Sequence, residues 1–479
     1  MVVKRNRCPA RVFVQPMTEA PALRRRVQAV AAISCGTALV VIDGAIATVA
    51  LPTIARDLNV EASSAVSVVT VYQLVLVMLL LPFSGLGDRI GLKRLYQIGQ
   101  LVFTAATILC FFAKSLPFLL IVRAAQAVGA AATLSVASAL IRRIYPPEQL
   151  GRGLGINSVV VSSSAALAPT LGGLVLAVAP WPWVFASAVP FAVLSLLLGR
   201  ALPESERSTE PFDVLGALLC AAMFGLIIGG LESAVHGDSP VVSAGVVAAG
   251  VVIAILFVRR ERDEPRPILP IDLLGRPVLA LSTIGAFTAF IATMTTLLSL
   301  PFRLQHVYGF SPSEVGAVLA PWPLTTMIVA PLAGALSDRY PAGALGGIGM
   351  AVAITGLLSL AFLPADPSWF DIAWRMSLSG AGFGLFLSPN ARLIIGSAPE
   401  QRAAAAGGLI STTRMVGQTT GATLVAALLA MGLGGGTIPP LTAAALALIA
   451  GLCSVARLNP AIRNPRQEET ADAQPAQVR

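Results

Sequence analysis

The sequence predicts an all-α polytopic membrane protein of about fourteen transmembrane helices, arranged as two six-helix halves with two helices inserted between them. Three observations carry this. Only 12% of the 479 residues are charged while 56% are hydrophobic, and the mean hydropathy of +0.80 lies far above that of soluble domains. Apolar stretches of about 20 residues recur along nearly the whole chain, each long enough at 1.5 Å per residue to cross roughly 30 Å of hydrocarbon. Short residue patterns also return after about 250 residues, the mark of a repeated unit.

The elements follow in order. After Arg24-Arg25-Arg26, the apolar run from Val27 to Leu51 is too long for a secretory signal and lacks a small-residue cleavage site, so it is a retained first helix. Residues 1–26 form a tail ahead of it, in which Met17-Thr18-Glu19 reads as a start point that would set residues 1–16 apart. Apolar runs bounded by charges or turn residues place the rest of the first half (27–202) near 64–86, 95–113, 117–141, 154–179 and 183–202. The inserted linker (203–276) carries helices near 213–231 and 240–258. The second half (277–457) carries six more, near 278–300, 313–337, 342–363, 370–395, 402–431 and 438–457. The polar end, 458–479, reads as a disordered tail.

Charge placement sets orientation and removes several function classes. The net charge is +9, but the arginines fall in short loops between apolar runs, which is topogenic use of charge and not a nucleic-acid surface. With the N-terminus cytoplasmic, about 27 of the 33 Lys and Arg residues lie inside; Arg56, Lys114 and Arg303 lie outside. An even number of spans puts the C-terminus on the same side. The five cysteines show no C-x-x-C spacing, and the two histidines, His236 and His306, fall in outer loops. No metal site, cofactor site or acid–base cluster emerges, so the chain does not read as an enzyme.

The repeat keeps its register through equivalent helices and loops. Leu51-Pro52 returns as Leu300-Pro301, Gly87-Asp88-Arg89 as Ser337-Asp338-Arg339, Arg123 as Arg375, and Pro147-Glu148-Gln149 as Pro399-Glu400-Gln401. Each half is shorter than the offset, and the linker helices fill the difference.

Four patterns carry chemistry. The loop from Gly85 to Arg94 holds Asp88, Arg89, Gly91, Lys93 and Arg94 between helices two and three, with a partial second copy at Gly334–Arg339. An Asp beside basic residues at a helix end is suited to charge-assisted bonds with neighbouring helices that close one transport state and release in another; the competing reading is a topogenic basic loop. Helix five carries Ala168-Pro169-Thr170-Leu171-Gly172-Gly173, where Pro169 removes a helix hydrogen bond and Gly172 and Gly173 permit close approach. Ordinary small-residue packing would also account for it. Helix one holds Asp43 about two-thirds of the way across, too deep to be wetted from either surface. A carboxylate in low dielectric favours its neutral form, so Asp43 is the best candidate to take and release a proton, against the alternative of a structural acid satisfied by its neighbours. Its repeat counterpart, near Ala292, carries no acid. Arg123 lies just inside the outer end of helix four, where it either biases an acid or snorkels, and Arg414 lies about mid-membrane in helix thirteen, where it must line a cavity or find a partner. Glu232, at the outer end of the seventh helix, reads as solvated.

These patterns resemble the major facilitator superfamily and, within it, the fourteen-span drug:proton antiporters, over roughly residues 27–457. The loop is similar to the superfamily's G-x-x-x-D-R-x-G-R-K, with Leu92 at the first basic position; helix five is similar to the antiporter motif G-P-x-x-G-G, with Ala168 replacing the first Gly. Arg123-Ala124-Ala125-Gln126 resembles R-x-x-Q, and Trp181-Pro182-Trp183 with Leu202-Pro203-Glu204-Ser205 resembles the fourteen-span group's W-R-W and L-P-E-S. The resemblance implies a major facilitator fold in a bacterial inner (plasma) membrane, working as a monomer, with Asp43, Arg123 and Arg414 serving proton coupling and substrate, the Asp88–Arg94 and Asp338–Arg339 loops a conformational latch, and Pro169, Gly172 and Gly173 a hinge. The small-molecule substrate stays open between an amphipathic compound, cations included, exported against protons and an anionic metabolite drawn by Arg123 and Arg414. A membrane sensor that no longer transports is a third reading.

Overall fold

The computed structural model describes residues 23–145, 150–204, 212–235, 239–263, 274–337, 339–397 and 403–459. Among these the chain is all-helical: α1 (Leu23–Asp57), α2 (Ala62–Ile90), α3 (Leu92–Leu109), α4 (Leu116–Ile144), α5 (Leu150–Val178), α6 (Pro182–Ala186), α7 (Val189–Leu198), α8 (Val214–Val235), α9 (Pro240–Asp263), α10 (Pro277–His306), α11 (Pro312–Leu319), α12 (Pro321–Leu336), α13 (Ala342–Ala361), α14 (Trp369–Ser397), α15 (Ala403–Ala430) and α16 (Ile438–Ala456). Residues 1–16, Asp338, His236 and the Pro-Glu-Gln pair of the repeat lie outside the described residues.

Helices run several residues past the apolar segments read from the sequence, because backbone hydrogen bonding continues where the side chains turn polar. The first helix, expected at 27–51, extends to Asp57. Two expected helices are broken. The run at 183–202 divides into α6 and α7 before Pro190, and 313–337 divides into α11 and α12 before Pro321, since proline lacks the N–H that would continue the ladder. Local stops are equally specific. Gly91 ends α2 with φ of 104°, a backbone conformation suited to glycine, and its N–H bonds Gly87 O at 3.0 Å. Ser311 and Glu314 start α11 with a reciprocal capping box, Glu314 accepting from the Ser311 N–H at 2.8 Å.

Among the described residues eleven helices, counting α6–α7 and α11–α12 as one each, are long and apolar enough to cross a membrane. The expected count was about fourteen; α14 and α15, at 29 and 28 residues, fall short of the same standard of hydropathy, and of α5 the stretch Leu167–Val178 counts as a shorter apolar helix. The shortfall in hydropathy has a cause, since Asp371, Arg375 and Arg392 lie in α14 and Arg414 in α15.

Helices α1–α4 and α7 pack into one group, α10 and α13–α16 into another, and α8 and α9 pair with each other against α2 and α15. The groups meet along α1 with α10, α2 with α15, and α5 with α11 and α12. Away from the face where α1 begins, they are sealed by one apolar cluster that joins Ala50, Ile54 and Val184 to Leu298, Phe302 and Val425.

Candidate functional site: a sealed ion pair beside a cavity between the halves

Helix α1 brings Asp43 and helix α4 brings Arg123 to one place, both wholly buried. Arg123 Nη1 donates to Asp43 Oδ2 at 2.6 Å, and the same nitrogen reaches Gln126 Oε1 at 2.7 Å. Gln126 sits one helical turn along from Arg123, so both point the same way. Its amide donates to Thr107 Oγ1 at 2.9 Å on α3 and lies 3.5 Å from Asp43 Oδ1. Arg123 Nε donates to Val68 O at 3.2 Å, while Tyr72 and Phe185 cover the guanidinium at 4.2 and 5.0 Å from their ring centroids. Arg123 therefore does not snorkel; it is committed to the acid. Such a pair in low dielectric is stable only while its remaining polar atoms are satisfied, and loss of one partner exposes the full desolvation cost of the other.

Beside this pair lies a cavity of about 290 Å³ between the two halves. Asp43 and Arg123 do not line it. Gly44 and Tyr72 do, and Tyr72 is the link, presenting one side to the cavity and its ring to Arg123. Arg414 opens into the cavity from α15 and is the one charged residue in its wall among the described residues. Among the described residues no hydrogen bond or ion pair reaches its guanidinium. Of its two sequence-stated fates, cavity or partner, it takes the cavity, and it does not pair with Asp43.

Gly173 of helix five faces the other half at the sealed end. A Cβ on Gly173 would lie 2.9 Å from Pro312 O and 3.1 Å from the Gly316 Cα, and one on Gly316 would lie 2.6 Å from Pro169 O. The α5 and α11 backbones thus touch directly. Gly172 faces Ile46 on α1 instead, and Pro169 also lines the cavity.

The loop residues divide. Lys93 Nζ donates to Arg200 O at 3.2 Å and Glu204 at 3.3 Å, tying the start of α3 to the end of α7 within one half. Asp88, Arg89 and Arg94 are exposed, Gly91 is buried in the turn, and Arg339 is exposed on the second copy. There Arg392, not anticipated, donates to Gly334 O at 3.1 Å and Ser337 at 3.0 Å.

Two expectations fail. Arg303 is not an outer-loop residue: it is 6% exposed in the last turn of α10 and donates to Leu360 O at 2.9 Å and Ala361 O at 3.3 Å, satisfying carbonyls at the end of α13. Glu232 is not simply solvated: it accepts from Ser67 Oγ at 2.9 Å, fastening α8 to α2. Tyr72, Gln73 and Thr107 were missed; Gln126 was read only as part of the R-x-x-Q pattern with Arg123, without a role of its own.

A family model described as Major Facilitator Superfamily matches residues 33–422. The chain belongs to that superfamily. It is 44% identical to the uncharacterized transporter YebQ of Escherichia coli K12 over 90% of this chain and 95% of that one. The riboflavin transporter RibZ of Clostridioides difficile is 29% identical over 80% and 83%, and the multidrug resistance protein Stp of Mycobacterium tuberculosis is 31% identical over 83% and 75%. Among solved structures, a bacterial homologue of the lysosomal transporter Spinster, inward-facing and unoccupied, matches with a TM-score of 0.66 at 18% identity, covering 91% of this chain and 98% of that one. The molecule is thus a polytopic membrane transporter of the major facilitator fold, and not an enzyme.

Proposed function

We propose that this transporter is a proton-coupled antiporter that exports small amphipathic compounds by alternating access, as in the fourteen-span drug:proton group. The observation that carries the reading is the Asp43–Arg123 pair, sealed from solvent yet joined through Tyr72 to a cavity between the halves. A proton on Asp43 removes its negative charge and weakens its hold on Arg123; Arg123 then shifts against Tyr72, so the cavity wall responds to protonation. A substrate that displaces Tyr72 acts back on the same pair, which is the reciprocity that coupling requires.

On this reading α5, α14 and α15 also cross the bilayer, giving fourteen spans with both termini cytoplasmic in a bacterial inner membrane, and a single chain suffices. The sealed end then faces outward, and the α5–α11 glycine contact opens when the halves rock, with Pro169 as the hinge. The Asp88–Arg94 and Asp338–Arg339 loops latch the cytoplasmic side in the other state. Similarity to a multidrug resistance protein supports export of foreign compounds.

The test is proton flux in proteoliposomes under an imposed pH gradient, with lipophilic cations and then anions added, comparing wild type with Asp43→Asn. Substrate-driven proton movement that the variant abolishes while remaining monodisperse is the expected result. Coupled flux that survives the substitution removes Asp43 from the mechanism.

A further inference from the structure

The cavity has a chemistry of its own. Its walls carry Tyr72, Phe290, Trp322 and Phe383, with Trp322 stacked on Phe383 at 5.1 Å between centroids. Into this apolar, aromatic space projects one formal charge, the Arg414 guanidinium, with no hydrogen-bond or ion-pair partner among the described residues. Among the described residues no carboxylate lines the cavity. The nearest acid in the sequence of its walls, Asp43, is wholly buried and held by Arg123. A second polar group is also unmet: Gln73, 6% exposed and lining the same space, has a buried side-chain carbonyl oxygen without a hydrogen-bond partner.

An unpaired guanidinium in a low-dielectric cavity attracts a carboxylate or similar anion through two parallel N–H donors and repels a cation. The aromatic walls suit a flat ring, and the orphaned Gln73 oxygen suits an N–H or O–H donor on it. At about 290 Å³ the space lies near the lower bound of small-molecule sites, which run from about 300 to 1,000 Å³.

We infer that the substrate is a small aromatic anion, bound by Arg414 through its acid group and by Gln73 through a ring donor. This rests on the export reading above and narrows it: among the amphipathic compounds left open there, those with a positive charge are disfavoured.

The test is equilibrium binding to the purified full-length chain in detergent, read by quenching of tryptophan fluorescence, with two probes of the same ring and opposite charge: 1-naphthoate and 1-naphthylmethylammonium. Wild type should bind the carboxylate about tenfold or more tightly than the ammonium, the scale of one charge-assisted pair. Arg414→Gln should erase that preference, while Arg414→Lys, which keeps the charge and loses the fork, should retain its sign at lower affinity. 6-Hydroxy-2-naphthoate, whose hydroxyl lies on the far ring and is free to donate, should bind more tightly than 2-naphthoate to wild type, and Gln73→Met should remove that difference. Equal binding of both charges, tighter binding of the ammonium, no binding of either, or a preference that survives Arg414→Gln would each overturn the proposal. Because no gradient is present, these outcomes are independent of Asp43: a charge preference without coupled flux sinks only the antiport reading, and coupled flux of cations with no charge preference sinks only this one.

Discussion

Arg123 and Arg375 occupy equivalent places near the start of α4 and α14, yet they live in different electrostatic worlds. Arg123 is fully buried, paired to an acid from another helix and covered by two aromatic rings. Arg375 is 13% exposed, and its ion pair is with Asp371, itself 36% exposed and one turn away on its own helix, at 3.3 Å. Its Nε donates to Ser359 O at 3.1 Å on α13, and Trp374 lies beside it. The difference arises in α1 and α10. Asp43 has no acidic counterpart, because the matching stretch of α10 presents Ala292 to the core. The second half has the arginine and not the acid. The first half therefore carries a sealed, charge-balanced polar centre, while the second offers the cavity its free charge, Arg414.

The sharpest way to break this comparison is to unpair the buried site. Arg123→Ala should destabilise the fold by about 3–5 kcal/mol by leaving a carboxylate without its partner, and combining it with Asp43→Asn should recover most of that loss. Thermal unfolding in detergent of the two singles and the double would show it; additive losses would mean that the two side chains do not act as a pair. Next in size is the contact between the halves. Gly173→Val should cost about 1–3 kcal/mol in the sealed state by forcing side chain against backbone, and should raise the labelling rate of a cysteine placed at Thr170. Unchanged labelling would show that α5 and α11 are not what closes that end.

The Arg375 pair should matter far less. Arg375→Gln removes a partly exposed, same-helix pair and should shift stability by no more than about 1 kcal/mol, with coupled flux retained; loss of coupling would mean that the two halves share the proton function. The smallest effect belongs to Asp213, just before α8, which receives two bonds of 2.8 Å from Arg260 on α9. Those bonds, followed by the Gly216 N–H, hold its carboxyl below the usual carboxylate range. A lowered folded-state value stabilises above the ordinary carboxylate pKa and is lost as pH falls through the folded one. Asp213→Asn should therefore lower the melting temperature slightly at neutral pH, and the gap should close in acid. Both side chains are partly exposed, so the contribution is a few tenths of a kcal/mol at most.

How much of this could be read in advance varies with the physics involved. Spans such as α2 and α13 are legible because apolar length is a local property. The depth of Asp43 was legible for the same reason, since counting along a helix needs no neighbours. That Arg123 meets it was not, because the pairing depends on the rotation of α4 against α1, which leaves no trace in spacing. Arg303 misled because a charge near a helix end looks the same whether it faces water or the open carbonyls of α13. The breaks before Pro190 and Pro321 were present in the sequence but were outweighed by the apolar runs around them. Tyr72 and Gln73 carried no pattern at all; they matter only because α2 happens to line the cavity.

The lone charge of the cavity has an energetic consequence for the whole cycle. The Asp43–Arg123 pair is neutral overall, so nothing in the first half offsets the charge of an anion held at Arg414. If each anion leaves as one proton enters, negative charge moves outward while positive charge moves inward, and the two displacements add electrically. Such a cycle is electrogenic. It draws on the membrane voltage, about 2.3 kcal/mol per charge for every 100 mV, as well as on the pH difference, and an interior-negative cell would keep exporting even where the two sides are equally acidic.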